Sequence, residues 1–172
     1  QSDRRYSVRL TYITSRGKWY RYSWKGDKEK SGGIATNIGI HFFDLLMWLF
    51  GSVEQSQVHV SEKEKMGGFL ELEEADVEWY LSLDKNDLPP QTPEGQPTYR
   101  SITVDGEEIE FSGGFGNLHT EVYKKTLAGD GFGIPDARPS IELVYNLREA
   151  TLTKPGEIYH PFVKEHFLPK AA

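Results

Sequence analysis

The chain has no cysteine. Disulfides and thiolate metal sites are therefore excluded, and the composition suits a reducing compartment, so a cytoplasmic location is expected. Long apolar runs are also missing. The longest, near Phe42 to Phe50, is interrupted by Asp44 and looks too short to span a bilayer. The opening "QSDRRYSVRL" has no apolar signal-peptide segment; it begins on Gln1 and turns almost at once into a strand pattern, as if entered mid-protein. Positive charge is outnumbered: 20 Lys and Arg against 26 Asp and Glu leave a formal net charge of −6, which weighs mildly against a nucleic-acid surface. There is no HExxH-like spacing for a metal. A dinucleotide fingerprint is missing too, because Gly114-Phe115-Gly116 and Gly131-Phe132-Gly133 are each a lone GxG and read as loop glycines.

What is present is aromatic. At 172 residues with 13% aromatic content, the chain has the size of one domain spanning 1–172, with bulk for a core despite only 37% hydrophobic residues. Tyr6 to Thr14 reads as a strand. A basic, aromatic loop follows from Ser15 to Lys30, then a helix from about Ala35 to Phe50, with Thr36 as candidate N-cap and Gly51 as its stop. "VEQSQVHVSE" and "ADVEWYLSLD" read as strands, the second with Ala75, Val77, Trp79, Leu81 and Leu83 on one buried face. A proline-rich loop, "DLPPQTPEGQPT", precedes the hairpin "RSITVDGEEIEF", turned at Asp105-Gly106. Two helices close the chain: "NLHTEVYKKTLAG", and "RPSIELVYNLREATL" starting at Pro139 and Ser140. This order predicts an α+β fold, an open, mainly antiparallel (mixed) sheet with helices on one face. The other sheet face then needs a cover, and a second subunit is the expected one.

The central helix carries the chemistry. At about 100° per residue, Asn37, His41, Asp44 and Trp48 fall within an arc of roughly 60°, while Ile38, Phe42, Leu45 and Leu49 form a packing stripe about a quarter turn away. The polar stripe starts at a helix N-terminus, which favours negative charge. Spacing alone leaves His41 open between a core histidine held by Asp44 or Asn37, a catalytic group, and a metal ligand joined by His119. Gly39 allows either close approach of a ligand or packing on a neighbouring strand. In the loop, Arg16, Lys18, Arg21 and Lys25 lie among Trp19, Tyr20, Tyr22 and Trp24. Such a set suits a phosphorylated or carboxylated ligand with a ring to stack on, or else a solvated loop or oligomer contact.

From Trp24 to Gly51, "WKGDKEKSGGIATNIGIHFFDLLMWLFG" resembles the signature of the C-terminal domain of the Gfo/Idh/MocA oxidoreductases. Trp24, Lys25, Gly32, Gly33, Asn37, Gly39, His41, Asp44, Trp48, Leu49 and Gly51 fill the places of its pattern. The resemblance implies a glyceraldehyde-3-phosphate-dehydrogenase-like C-terminal domain, whose N-terminal Rossmann domain lies outside this chain and binds most of the NAD or NADP. It implies that His41 contacts the reacting carbinol and assists proton transfer, with Asn37 (often aspartate in the family) holding the same region. Asparagine cannot act as a base, so a lysine of a Glu-Lys-Pro motif in the other domain would share the proton work. Glu64-Lys65 here is followed by Met66 and does not qualify.

The loop wording, with "HTEVYKKTLAGDGFGIPDARPSIELVYNLREA" (His119, Glu121, Tyr123, Arg138), is similar to one branch of that family. Its members are the UDP-N-acetyl-2-amino-2-deoxyglucuronate 3-dehydrogenases of surface-polysaccharide (O-antigen) synthesis. That likeness implies oxidation of a sugar 3-hydroxyl to a ketone, with Arg16, Lys18, Tyr20, Tyr22, Trp24 and Lys25 binding a nucleotide sugar beside Asn37 and His41, in a dimer or tetramer. The competing expectations are a neutral-sugar or inositol dehydrogenase domain, and a non-catalytic ligand-binding or oligomerisation module.

Overall fold

The computed structural model describes residues 4–110 and 118–167. Gly114-Phe115-Gly116 lies outside them. Six strands form one mixed sheet in the order β2-β3-β4-β1-β5-β6: β1 (Tyr6–Thr14), β2 (Val53–Ser61), β3 (Lys65–Leu72), β4 (Ala75–Ser82), β5 (Thr98–Val104) and β6 (Glu107–Glu110). β1 runs parallel to β4, with Leu10 opposite Trp79; the other neighbours are antiparallel. The α+β reading holds, and β1 spans the residues expected. The Asp105-Gly106 turn closes β5 on β6 with φ of 49° and 89°, the left-handed pair that a tight hairpin requires.

Helices occupy the loop and the sheet face. α1 (Lys18–Tyr22) and α2 (Lys28–Ser31) are short turns inside the Ser15 to Lys30 stretch, which reads as plain loop from the sequence. α3 (Ile40–Phe50) is entered through a wide π turn at Ala35–Gly39 and packs with α5 (Ile134–Glu149) over the sheet. α4 (Leu118–Ala128) is exposed along its length, and α6 (Pro161–Phe167) ends the described chain. Lys28–Phe50 is long and apolar enough by length and composition to cross a membrane, unlike the shorter run judged from sequence. Its inner face, Ile38, Phe42, Phe43, Leu46 and Phe50, belongs to the core.

Three expectations are corrected here. Thr36 is not an N-cap: it lies inside the π turn, and its Oγ1 donates back to the Gly32 carbonyl. α5 begins before Pro139, at Ile134, because Pro135 suits the first turn and the Asp136 carboxylate accepts the Gly133 N–H at 2.7 Å. Pro139 is then tolerated within the helix. β4 is buried on both faces rather than one, since Tyr80 and Ser82 are covered as fully as their apolar neighbours and Glu78 is buried nearly so.

The second face of β4 is closed partly by the chain itself. Val163 of α6 packs on Tyr80 and Val60, and sits so close to Gly67 that a Cβ there would lie 2.6 Å from its Cγ2. Polar groups on that face find partners, as buried groups must. Arg9 pairs with Glu78 at 2.8 Å, and Asp87 accepts from Tyr80, Ser82 and Lys65. The alternation of polar and apolar residues therefore marked two chemistries, not inside and outside.

His160 is the buried titrating group of this layer. Its Nδ1 accepts the Phe162 N–H, which leaves the proton on Nε2 to donate to Thr11 Oγ1 at 2.8 Å. The ring stacks on Tyr80 and Phe162. Burial, helped by the Arg9 charge, drives its pKa from 6.5 down to about 3. The unfolded chain thus binds a proton near pH 6.5 that the folded chain refuses until about pH 3. Stability is complete above that window and falls on acidification through it, by at most about 1.4 kcal/mol per pH unit. Urea unfolding between neutral and mildly acidic pH should show this decline, and His160→Gln should flatten it. Parallel declines in both proteins would assign the acid sensitivity elsewhere.

Candidate functional site

The segment between β1 and α3 is held by its own backbone chemistry. Gly17 opens α1, and Gly26 lies where a Cβ would meet the Tyr20 carbonyl at 2.5 Å. Asp27 caps α2 by accepting from the N–H groups of Glu29 and Lys30. Those backbone hydrogen bonds, with the neighbouring Lys30 ammonium, hold its carboxyl below the usual aspartate range although desolvation pulls the other way. Gly32 and Gly33 then take φ of 78° and 75°, the left-handed turn that redirects the chain into the central helix.

Asn37 locks this entry. Its Nδ2 donates to the Gly33 carbonyl at 2.9 Å and the Lys25 carbonyl at 3.2 Å, so both amide hydrogens tie the loop to the helix. Oδ1 accepts no hydrogen bond among the described residues and is the atom left for a ligand donor. One turn on, His41 is exposed, as are Asp44 and Trp48. His41 makes no hydrogen bond to Asp44 or Asn37, so the reading of a core histidine held by those residues is overturned. The polar stripe stays together, but the packing stripe is centred elsewhere: Phe43, Leu46 and Phe50 are buried while Leu49 is 48% exposed. The seam predicted through Leu45 and Leu49 is really its border, and the polar stripe points directly away from the core.

Gly39 is settled as a packing position. A Cβ there would lie 2.7 Å from Leu81 Cδ1 and 2.8 Å from Phe43 Cε2, so the helix rests its backbone on β4. The π turn spans the same residues, and its broader coil seats Asn37 beside the loop just before regular α geometry presents His41.

The loop's cations and rings are divided. Arg16 and Lys18 are exposed; Arg21 is taken up by Glu64 at 2.8 Å. Tyr22 and Trp24 are exposed, whereas Tyr20 is buried in the main core, its ring edge-on to Trp19. Lys25 lies 5.9 Å from the Trp24 ring and reaches a cleft of about 380 Å³. This cleft lies between the loop, the β2–β3 turn and the C-terminal end of α5, and brings in Lys28, Lys63 and Arg148. Neither His41 nor Asn37 lines it, nor do His119, Glu121, Tyr123 or Arg138. Sequence reading missed Lys28, Lys63 and Arg148 because their convergence depends on strand pairing and helix docking between distant segments. The one local hint was the density of lysine in "KGDKEK".

Lys65 has a structural task. Partial burial pulls its pKa down, but hydrogen bonds to Asp87 and Asp84 at 2.7 and 3.2 Å outweigh that and raise it, so the ammonium stays charged. It is no proton acceptor. Among the described residues no group of three His, Asp or Glu side chains is arranged to hold a metal.

The model of the oxidoreductase family's C-terminal alpha/beta domain matches residues 4–89. A match over half of the chain, on the segment that builds β1, the loop, the central helix and β2–β4, places it in a class of proteins before any single relative is considered. The chain belongs to the Gfo/Idh/MocA oxidoreductase family. Among solved structures it is similar to the WlbA (WbpB) dehydrogenase from Thermus thermophilus in complex with NAD and alpha-ketoglutarate. The two are 55% identical, with TM-score 0.88, over 94% of this chain and 53% of that one. The same enzyme in complex with NAD and UDP-GlcNAcA gives 55% identity and TM-score 0.86, over 92% and 52%. The WlbA dehydrogenase from Bordetella pertussis, with NADH and UDP-GlcNAcA, shares the fold at 22% identity and TM-score 0.64, over 84% and 51%. The chain thus spans about half the length of the solved relatives it matches.

Proposed function

We propose that this chain is the substrate half of an NAD-dependent dehydrogenase. It would oxidise the 3-hydroxyl of a nucleotide-linked N-acetylamino sugar uronate to a ketone. The supporting observation is 55% identity, over nearly the whole chain, to a dehydrogenase solved with NAD and UDP-GlcNAcA. The described residues offer no cradle for a dinucleotide: Gly131-Phe132-Gly133 joins α4 to α5, with no strand before it. A dinucleotide-binding half outside these residues would hold the cofactor, which would supply the hydride acceptor for C3 when bound.

The residues here would do the rest. His41, exposed on a rigid helix, takes or relays the hydroxyl proton as the C3–H bond breaks. Asn37 Oδ1 accepts a hydrogen bond from the sugar and fixes the ring. Arg16 and Lys18 meet an anionic group, and Tyr22 and Trp24 offer faces to stack on. A second copy laid on the sheet face not taken by α3 and α5 would complete the assembly in a soluble, cytoplasmic enzyme of surface-polysaccharide synthesis; light scattering reporting only monomer would rule that copy out.

NADH production by the full-length enzyme tests the proposal. UDP-linked N-acetylamino uronate should be turned over, and free neutral sugars or inositol should not. Arg16→Ala should raise KM for the acid sugar nucleotide several-fold, on the scale of one charge-assisted hydrogen bond, and leave any residual neutral-sugar KM unchanged. Equal effects on both substrates would reduce Arg16 to a packing role.

A further inference from the structure

The cleft beside Lys25 has a composition that the reaction chemistry does not use. Its rim carries Lys25, Lys28, Lys63 and Arg148 against a single carboxylate, Glu62, in a chain whose net charge is −6. Its walls include Tyr20, Ile34, Ala35, Met66 and Leu83, all buried apolar side chains of the main cluster. None of the three lysine ammonium groups makes an ion pair among the described residues. Arg148 Nε is paired with Glu149, but its Nη groups have no hydrogen bond there. Cations gathered around a concave, partly apolar wall focus positive potential into it. The volume of about 380 Å³ falls within the range of small-ligand sites.

From this geometry we infer that the cleft binds the nucleoside diphosphate end of the sugar nucleotide, with Lys63 and Arg148 as specificity-determining residues. The inference rests on the proposed function and names the part of its substrate that this chain holds away from His41. One carboxylate would occupy one or two of these cations, and a polyhydroxylated ring would gain little from Met66 and Leu83. A diphosphate engages several cations at once, and its attached base fits an apolar wall beside a tyrosine. Two molecules in the reaction carry a diphosphate, the sugar nucleotide and the dinucleotide. The cleft is assigned to the first, because the described residues lack the glycine-rich strand–turn–helix that a dinucleotide's diphosphate uses.

Calorimetric titration of the full-length enzyme with UDP, inorganic pyrophosphate, uridine and NAD separates the cases. UDP should bind with one-to-one stoichiometry, more tightly than pyrophosphate or uridine alone, and NAD should not compete with it. Lys63→Gln and Arg148→Gln should each weaken UDP by about tenfold, the scale of one lost charge-assisted hydrogen bond, with the melting temperature unchanged for the exposed Lys63. The assignment is overturned if UDP does not bind, if both Gln variants bind it like the parent, or if NAD displaces it. These outcomes are independent of turnover. UDP binding without NADH production would leave the cleft standing and discard the dehydrogenase reading, and the reverse result would discard the cleft alone.

Discussion

His41→Ala in the full-length enzyme is expected to lower kcat by about 100-fold or more, the scale for losing a general acid–base group. Two features make this a clean test. The ring is exposed and makes no hydrogen bond within the described residues, so its removal should not disturb folding; the melting temperature should match the parent. Its helix is anchored on the opposite side by Phe42, Phe43, Leu46 and Phe50, so the replacement leaves the site's frame in place. The loss should appear in kcat and kcat/KM together, because a proton-transfer group acts in the transition state more than in substrate binding. Asp44→Asn, one turn along the same stripe, should cost far less, as nothing ties that carboxylate to the ring. Unchanged turnover in His41→Ala would remove the imidazole from the reaction and with it the role proposed for the polar stripe.

The second large effect concerns stability. Trp79 is fully buried at the centre of β4, opposite Leu10 of β1 and edge-on to Phe43 with centroids 5.3 Å apart. β3 makes room for it: a Cβ on Gly68 would lie 2.8 Å from Trp79 Cζ2 and closer still to the Gln57 carbonyl. Trp79→Ala empties the junction between sheet and helix and should cost about 3–5 kcal/mol, a large share of the stability of a domain this size. Trp79→Phe should cost much less. It keeps most of the apolar volume and removes an indole N–H that has no hydrogen-bond partner among the described residues and is costly to bury. Denaturant midpoints for the two variants decide the matter. A loss under about 1 kcal/mol for Trp79→Ala would mean that the core closes over the gap and that the indole is not its keystone.

Much of this was readable beforehand, for local reasons. β1, the Asp105-Gly106 turn and α4 followed from β-propensity, a left-handed dipeptide and helical composition, none of which needs a partner element. The polar stripe of the central helix also survived, because residues three and four apart share a face in any helix. The errors arose where packing decides. Gly39 looked ambiguous until Leu81 was found beside it, and Leu49 looked like a core residue until the π turn and the docking of α5 set which side faces inward. Tyr20 was indistinguishable from Tyr22 in composition, yet one is buried at 6% exposure and the other stands at 88%.

The amino-acid order by itself determined the family, the α+β class, and the set of groups that one helix presents together, since spacing along a chain dictates local periodicity. Only the tertiary structure decided that His41 faces solvent, that β4 is covered twice, and that Lys25, Lys28, Lys63 and Arg148 surround one cleft. Those facts depend on register between distant strands and on which side of a helix meets the sheet, and both are chosen by the burial of the whole core rather than by any short segment.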